Sequence, residues 1–433
     1  MKIAVIGSGI SGLAAAHALR RHAAVTLFEA GSYFGGHTHT VDVTLPGPGG
    51  SVTHGVDTGF LVFNERTYPR LIALFAELGV ATTASDMSFS VQAPRPGGQS
   101  LEWSGSSLSS LFAQRRNLLD PRFLRMVADL VRFNALATRM AQTGKEAALY
   151  QPLGDFLDLH AFSGEFRDWY LLPMLGCIWS CPTDQMLRFP VATMIRFCHN
   201  HGLLQLTRRP QWHTVSGGAR RYVDKILAGI ADKRLNTPVR QLRRDAAGVT
   251  VVAGDGVHRF DGVVIATHPD QALAMVQDAT AEERRVLGAI RYAPNSAVLH
   301  TDLSVLPRSP RAWAAWNYER APDSRQESAS VCLHYLLNRL QPLPFTQPVI
   351  VSLNPVRPIA AEHIIGRYDY EHPVFDLAAI RAQSDISSLQ GHRHTWFCGA
   401  WTGYGFHEDG LKSGLAAARQ LQARLQIPVA VAA

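Results

Sequence analysis

The sequence predicts an α/β fold, a doubly wound domain interleaved with a second, α+β domain. Three observations predict it. Lys2 to Ile6 is a short apolar run, Gly7-Ser8-Gly9-Ile10-Ser11-Gly12 follows, and Leu13 to Leu19 reads as a helix. Ala24 to Glu29 reads as a second strand, so strand, glycine turn, helix and strand fall within about 30 residues. Strand and glycine-turn patterns return late in the chain, which therefore crosses between the two domains more than once. Together these define a Rossmann-like architecture.

Each element has a chemical reason. In the Gly-x-Gly-x-x-Gly turn, Gly7 permits the tight bend, Gly9 lets backbone approach a pyrophosphate, and Gly12 allows close helix–strand packing. Ser11 lies in the first turn of the helix, whose N-terminus favours phosphate charge. Glu29 ends the second strand, where a carboxylate accepts hydrogen bonds from a ribose diol and repels a 2′-phosphate. This pattern predicts an adenine dinucleotide without saying which. Loop signals fall at 46–50, 94–98 and 342–348. Residues 108–140 read as two helices separated at Pro121, rich in leucine and in Arg115, Arg116, Arg122, Arg125, Arg132 and Arg139, against only Asp120 and Asp129. Gly248 to Ala253 and Phe260 to Ala266 read as strands, 290–302 as another, and 410–425 as a final helix opened by Gly410.

Composition narrows the function classes. With 46% hydrophobic and 18% charged residues, the 433-residue chain has material for a large core and is no disordered chain. Five cysteines, an odd number, exclude a disulfide framework and fit a reducing compartment. Cys177 and Cys181 have no second pair to complete a zinc site, so no metal is expected. The net charge of +7 is small for the length, and no nucleic-acid motif accompanies it. Lys2 to Leu19 imitates a signal peptide, but its glycines carry dinucleotide-fold spacing. No stretch is long and apolar enough for a membrane span. The expectation is a cytoplasmic protein, peripheral on the inner membrane face if the arginine-rich stretch 108–140 lies on anionic headgroups.

Further segments carry a family resemblance. Phe34-Gly35-Gly36-His37-Thr38 resembles the Gly-Gly-Arg segment of flavin amine oxidases. Val56-Asp57-Thr58-Gly59 resembles the segment beside their flavin, Ser216-Gly217-Gly218 the return to the cofactor domain, and Thr237-Pro238-Val239 the strand that meets adenine. Val263 to Pro269 resembles their late strand end. Phe397-Cys398-Gly399-Ala400 and His407-Glu408-Asp409-Gly410 resemble the final flavin motif. The chain thus resembles, over essentially its whole length, the superfamily of monoamine oxidases, protoporphyrinogen oxidases and phytoene desaturases. It resembles more closely a bacterial flavoprotein group associated with cyclopropane-fatty-acid-synthase-like enzymes. The resemblance implies a GR2-type flavoprotein with non-covalent FAD. It assigns the cofactor domain to 1–79, 211–285 and 386–433, and the substrate domain to 80–210 (helical) and 286–385 (mixed sheet).

The departures matter too. His37 stands where relatives carry Arg, and Ala400 where many carry Asp or a hydroxyl residue. The lysine that amine oxidases keep near the flavin falls at His300, and the two aromatic walls near His372 and His407. Imidazoles in these places weaken an amine reading and offer proton acceptors instead. No second Gly-x-Gly-x-x-Gly is present, so the substrate would reduce the flavin, and oxygen or a membrane carrier would reoxidise it. The leading expectation is an FAD-dependent oxidoreductase that dehydrogenates or desaturates an apolar, lipid-like substrate, with His407 or His300 as base. The alternatives are a flavin amine oxidase acting on a hydrophobic amine, and a flavin-bearing accessory subunit of a lipid-modifying system.

Overall fold

The computed structural model describes residues 1–95, 100–145, 150–205, 209–322 and 330–426. At its centre is a five-stranded parallel sheet of Asp232–Arg234, Ala24–Phe28, Lys2–Ile6, Gly262–Ile265 and Thr395–Phe397, in that spatial order. Alternate residues of one strand serve two cores. Ile3 and Val5 pack with Leu13, Ala14 and Leu411, while Ala4 and Ile6 pack with Leu242, Val251 and Phe260. A parallel sheet covered on both faces leaves no polar side, which is why these strands read as unbroken apolar runs.

The first face is covered by helices Ile10–Leu19 and His407–Arg424. They approach closely because the contact residues are glycines. A Cβ on Gly414 would lie 2.1 Å from the Ser11 carbonyl oxygen, and one on Gly410 2.7 Å from Ile10 Cγ2. The second face carries the antiparallel sheet Val239–Asp245, Gly248–Ala253 and Gly256–Phe260, with helices Pro269–Met275 and Ala281–Gly288.

The second domain is a seven-stranded sheet in the order Ile364–Val374, Arg291–His300, Ile350–Leu353, Cys332–Leu336, Trp316–Glu319, Phe89–Pro94 and Ser100–Ser104. Only Trp316–Glu319 and Phe89–Pro94 pair in parallel. Helices Pro121–Thr143, Leu172–Trp179 and Val191–Asn200 belong to the core beneath it.

Two expectations change, and the break at Pro121 holds. The stretch 80–210 is not purely helical: it supplies two strands of the large sheet, and Thr82–Ser85 pairs with Trp212–Val215 across the expected boundary. Polar residues hid the strand Phe89–Pro94. Ser90 Oγ donates to Asn317 Oδ1 (2.8 Å) and Gln92 Nε2 to the Val305 carbonyl (2.6 Å), so both are buried with partners. Pro121 does separate two helices, but as the opening residue of the second, capped by Asp120. The last helix starts at His407 and not at Gly410, because Asp409 folds back to accept from the Tyr404 and Phe406 backbone N–H groups. The loop signal 94–98 lies mostly outside the described residues. All five cysteines are buried thiols.

Candidate cofactor and active site

A cavity of about 730 Å³ opens along the carboxyl ends of the parallel strands and runs under the large sheet. Its first part is a cradle. Gly7 has φ +97°, and a Cβ there would meet the Ala266 carbonyl oxygen at 2.8 Å. Gly9 caps the first helix without any side chain, and nothing lies within 4 Å of where its Cβ would be. The helix N-terminus is therefore open to an anion. Glu29 lines this end, accepting from the Ser8 N–H (3.0 Å), Ser8 Oγ (2.5 Å) and the Gly31 N–H (2.7 Å). Ser11, Gly36, Gly59, Val239, Gly399 and Ala400 also line the cavity.

Beyond the cradle stand His37, His268, His372 and His407, from distant parts of the chain, and a further lining histidine, His201, stacks on Phe197 at 3.9 Å. His37 and His372 have ring centroids 5.1 Å apart. Burial, then the neighbouring histidines, holds His37 well below the usual histidine range, and its Nε2 is buried without a hydrogen-bond partner. Burial lowers His372 to about 4 and His407 to about 3. Asn295 Nδ2 meets His372 Nδ1 at 2.9 Å. His407 stacks on Phe60 at 3.7 Å, and its Nε2 is engaged by Thr38 Oγ1 (2.9 Å) and the Tyr222 hydroxyl (3.2 Å). His268 bonds to Glu371 (3.1 Å) and stacks on Tyr292 at 3.8 Å.

The far part is an aromatic arm. Phe197 packs against Trp179 (4.6 Å), Phe406 (5.0 Å) and Tyr404 (5.6 Å), with Tyr68, Trp212 and Trp316 also lining it.

Several residues expected at the site are not on the cavity. Gly12 lies beneath the turn, where a Cβ would be 1.9 Å from the Gly7 carbonyl oxygen. The Gly35 N–H donates to Ser8 Oγ. Asp57, pushed up to about 6 by burial, accepts from the Ala219 N–H, Gln341 Nε2 and Thr40 Oγ1, tying its strand to the start of the helix Arg220–Ala228. Thr58 bonds to the Tyr370 hydroxyl. Glu408 accepts from the Arg70 and Leu71 N–H groups and so caps the helix Pro69–Leu78, while Asp409 caps its own helix. These carboxylates are engaged by donors of the protein itself, backbone N–H groups foremost. Gly410 packs on Ile10.

His300 is a correction. Strand alternation puts Ala297 and Leu299 in the core that borders the cavity, but Val298 in a separate cluster behind the sheet. His300 shares the face of Val298. It is fully buried there, with Nε2 2.6 Å from Ser352 Oγ and Nδ1 accepting from the Asp302 N–H. The sequence reading missed His268, Tyr292, Glu371, Tyr404 and Phe406 as site residues. His268 had a readable signal: it follows the end of a parallel strand, where open α/β sheets bind ligands.

The cradle fits an adenine-dinucleotide flavin. It offers an open helix N-terminus for the pyrophosphate, a carboxylate at the ribose end, and the unpartnered His37 Nε2 between cradle and arm. Residues 10–302 match the family described as flavin containing amine oxidoreductase, and the chain belongs to that family. FAD is the family's cofactor. A Mycobacterium tuberculosis protein described as a flavin-containing monoamine oxidase, AofH, is 27% identical over 291 residues. The match covers 64% of this chain and 59% of that protein. Among solved structures, a redesigned putrescine oxidase and the cyclohexylamine oxidase of Brevibacterium oxydans each superimpose with TM-score 0.70 at 17% identity, covering 98% of this chain and 99% of theirs. A fatty acid isomerase from P. acnes gives 0.67 at 16%, over 96% and 98%. At such identities the likeness is one of fold. Among the described residues, no helix is long and apolar enough to cross a membrane.

Proposed function

We propose that the protein is an FAD-dependent oxidoreductase that dehydrogenates or desaturates an apolar, lipid-like substrate such as a fatty-acyl chain. One observation carries this reading: among the described residues, the aromatic arm holds no carboxylate. The cavity's lining carboxylates are Glu29, hydrogen-bonded within the glycine loop, and Glu371, paired with His268. An ammonium group entering the arm would be desolvated without a counter-charge, at a cost of several kcal/mol. An acyl chain would gain about 0.8 kcal/mol for each buried CH₂.

Bound flavin supplies a hydride acceptor. Gly7, Gly9 and Glu29 hold its adenine end, with Val239 beside them. The rings of Trp179, Phe197, Tyr404 and Phe406 align the chain and exclude water. His372 accepts at Nδ1 from Asn295 Nδ2 and is kept neutral by burial, so its proton sits on Nε2, where it can donate a hydrogen bond into the cavity. His407 has its Nε2 engaged by two hydroxyls, so its role is to position Phe60 and Thr38. The fatty acid isomerase among the structural neighbours supports a lipid substrate.

A second reading, oxidation of a hydrophobic amine in its neutral form, is supported by the aromatic pair Tyr404 and Phe406 and by the amine oxidases among the relatives. Anaerobic mixing of the FAD-loaded protein with fatty acids and phospholipids, and separately with benzylamine and polyamines, decides between them. The first reading expects bleaching by lipid and a product lighter by two hydrogens. Bleaching by amines alone would overturn it.

A further inference from the structure

We propose that the outer face of residues 108–139 docks on an anionic lipid bilayer. The stretch carries six arginines against two aspartates. Both aspartates are already engaged, Asp120 with Arg95 (2.8 Å) and Asp129 with Arg132 (2.9 Å). Apolar side chains of the same stretch are also exposed: Leu119 is 88% exposed, Leu108 77% and Leu118 49%.

Local structure explains the projection. Arg115–Leu119 is a 3₁₀ turn, and Asp120 caps the helix Pro121–Thr143 immediately after it. Leu118 and Leu119 therefore sit at a corner, with Arg115 before them and Arg122 and Arg125 after. The helix buries Phe123, Met126 and Phe133, yet leaves Leu124 and Val131 outside. The outer leucines are not needed by the core.

A bilayer suits this surface because its exposed leucines, Leu118 and Leu119 among them, are flanked by arginines on both sides. Leucine tips can enter the acyl boundary while guanidinium groups meet headgroup phosphates. The position fits too. The helix packs against Val191–Asn200, which contributes Phe197 to the arm. Leu203 lines the arm, and its neighbour Leu204 shares a surface hollow with Val131 and Arg139. One helical layer thus separates the docking face from the cavity.

Docking does not rest on the substrate reading, since vesicle binding needs no turnover. The test is sedimentation of the full FAD-loaded chain with phosphatidylglycerol-containing vesicles and with pure phosphatidylcholine vesicles, at low and high salt. Binding to the anionic vesicles alone, lost at high salt, is expected. Arg115→Gln/Arg122→Gln/Arg125→Gln lowers partitioning on the order of 100-fold. Leu118→Ser/Leu119→Ser lowers it roughly tenfold or more. Both variants keep the FAD content and melting temperature of the parent. Arg243→Gln/Arg284→Gln/Arg419→Gln removes the same charge from exposed positions elsewhere and leaves binding within about threefold. Equal sedimentation with both vesicle types, none with either, or an equal loss in the control variant overturns the proposal. The second of these outcomes points instead to an acidic protein partner.

Discussion

Two glycines of one motif answer to different forces, and a single methyl group on each separates them. In Gly9→Ala the backbone is already acceptable to alanine, with φ −62° and ψ 175°, and nothing lies within 4 Å of the new Cβ. The apo-protein should be unchanged or up to about 1 kcal/mol more stable, because alanine has less freedom to lose on folding. The methyl group stands, however, where the cradle opens to a pyrophosphate. Displacing the phosphate from even one backbone N–H removes a hydrogen bond to a charged group, about 1.5–3 kcal/mol, so FAD should bind roughly 10- to 150-fold more weakly. In Gly12→Ala the new Cβ would lie 1.9 Å from the Gly7 carbonyl oxygen and 3.2 Å from Ala266 Cβ. That overlap must be relieved by moving strand and helix apart, at 1–3 kcal/mol or more, so the apo-protein itself should melt earlier. Calorimetry of the apo-proteins and FAD titration by flavin fluorescence read the two effects separately. A Gly9→Ala protein that binds FAD with parental affinity would show that the cradle does not receive the pyrophosphate, and the placement of the cofactor would fall.

The remaining expectations follow from other parts of the site. Glu29→Arg should weaken FAD binding by about 1.5–3 kcal/mol through lost ribose hydrogen bonds; an unchanged titration curve would remove Glu29 from the ribose. His300→Ala should lower stability by about 1–3 kcal/mol, since it leaves Ser352 and the Asp302 N–H short of a partner. FAD affinity in that variant should stay parental, and a large loss of it would place His300 back at the site. The apo-protein should melt earlier on acidification from pH 7 to 4.5. His37, His201, His372 and His407 are all depressed by burial, so the stability they contribute is full above about 6.5 and is lost as pH falls toward their folded values. Asp57 and Asp409, raised to about 6, act in the opposite sense, their stability being present at low pH and lost as pH rises through 6. Four histidines outweigh two aspartates, and a melting temperature that rises on acidification would contradict this balance. His407→Gln should flatten the profile.

Local chemistry was legible from the sequence alone. The strand, glycine turn, helix and strand from Lys2 to Glu29 need only neighbours in sequence, so apolar runs and three glycines sufficed to place them. Pro121 likewise marked the break between two helices. The tertiary structure decided what each polar side chain does. Asp57 and Glu408 sit in segments that resemble flavin motifs, yet their carboxylates are taken by the backbone N–H groups of Ala219 and Leu71, which only folding brings near. His300 was placed on the far face by a period of two along its strand, which sequence spacing does not report without the register. His37, His268, His372 and His407 stand up to 370 residues apart in the chain. They meet because the segments that follow the parallel strands and the strand Ile364–Val374 of the second domain converge on one cavity, where burial favours neutral imidazoles.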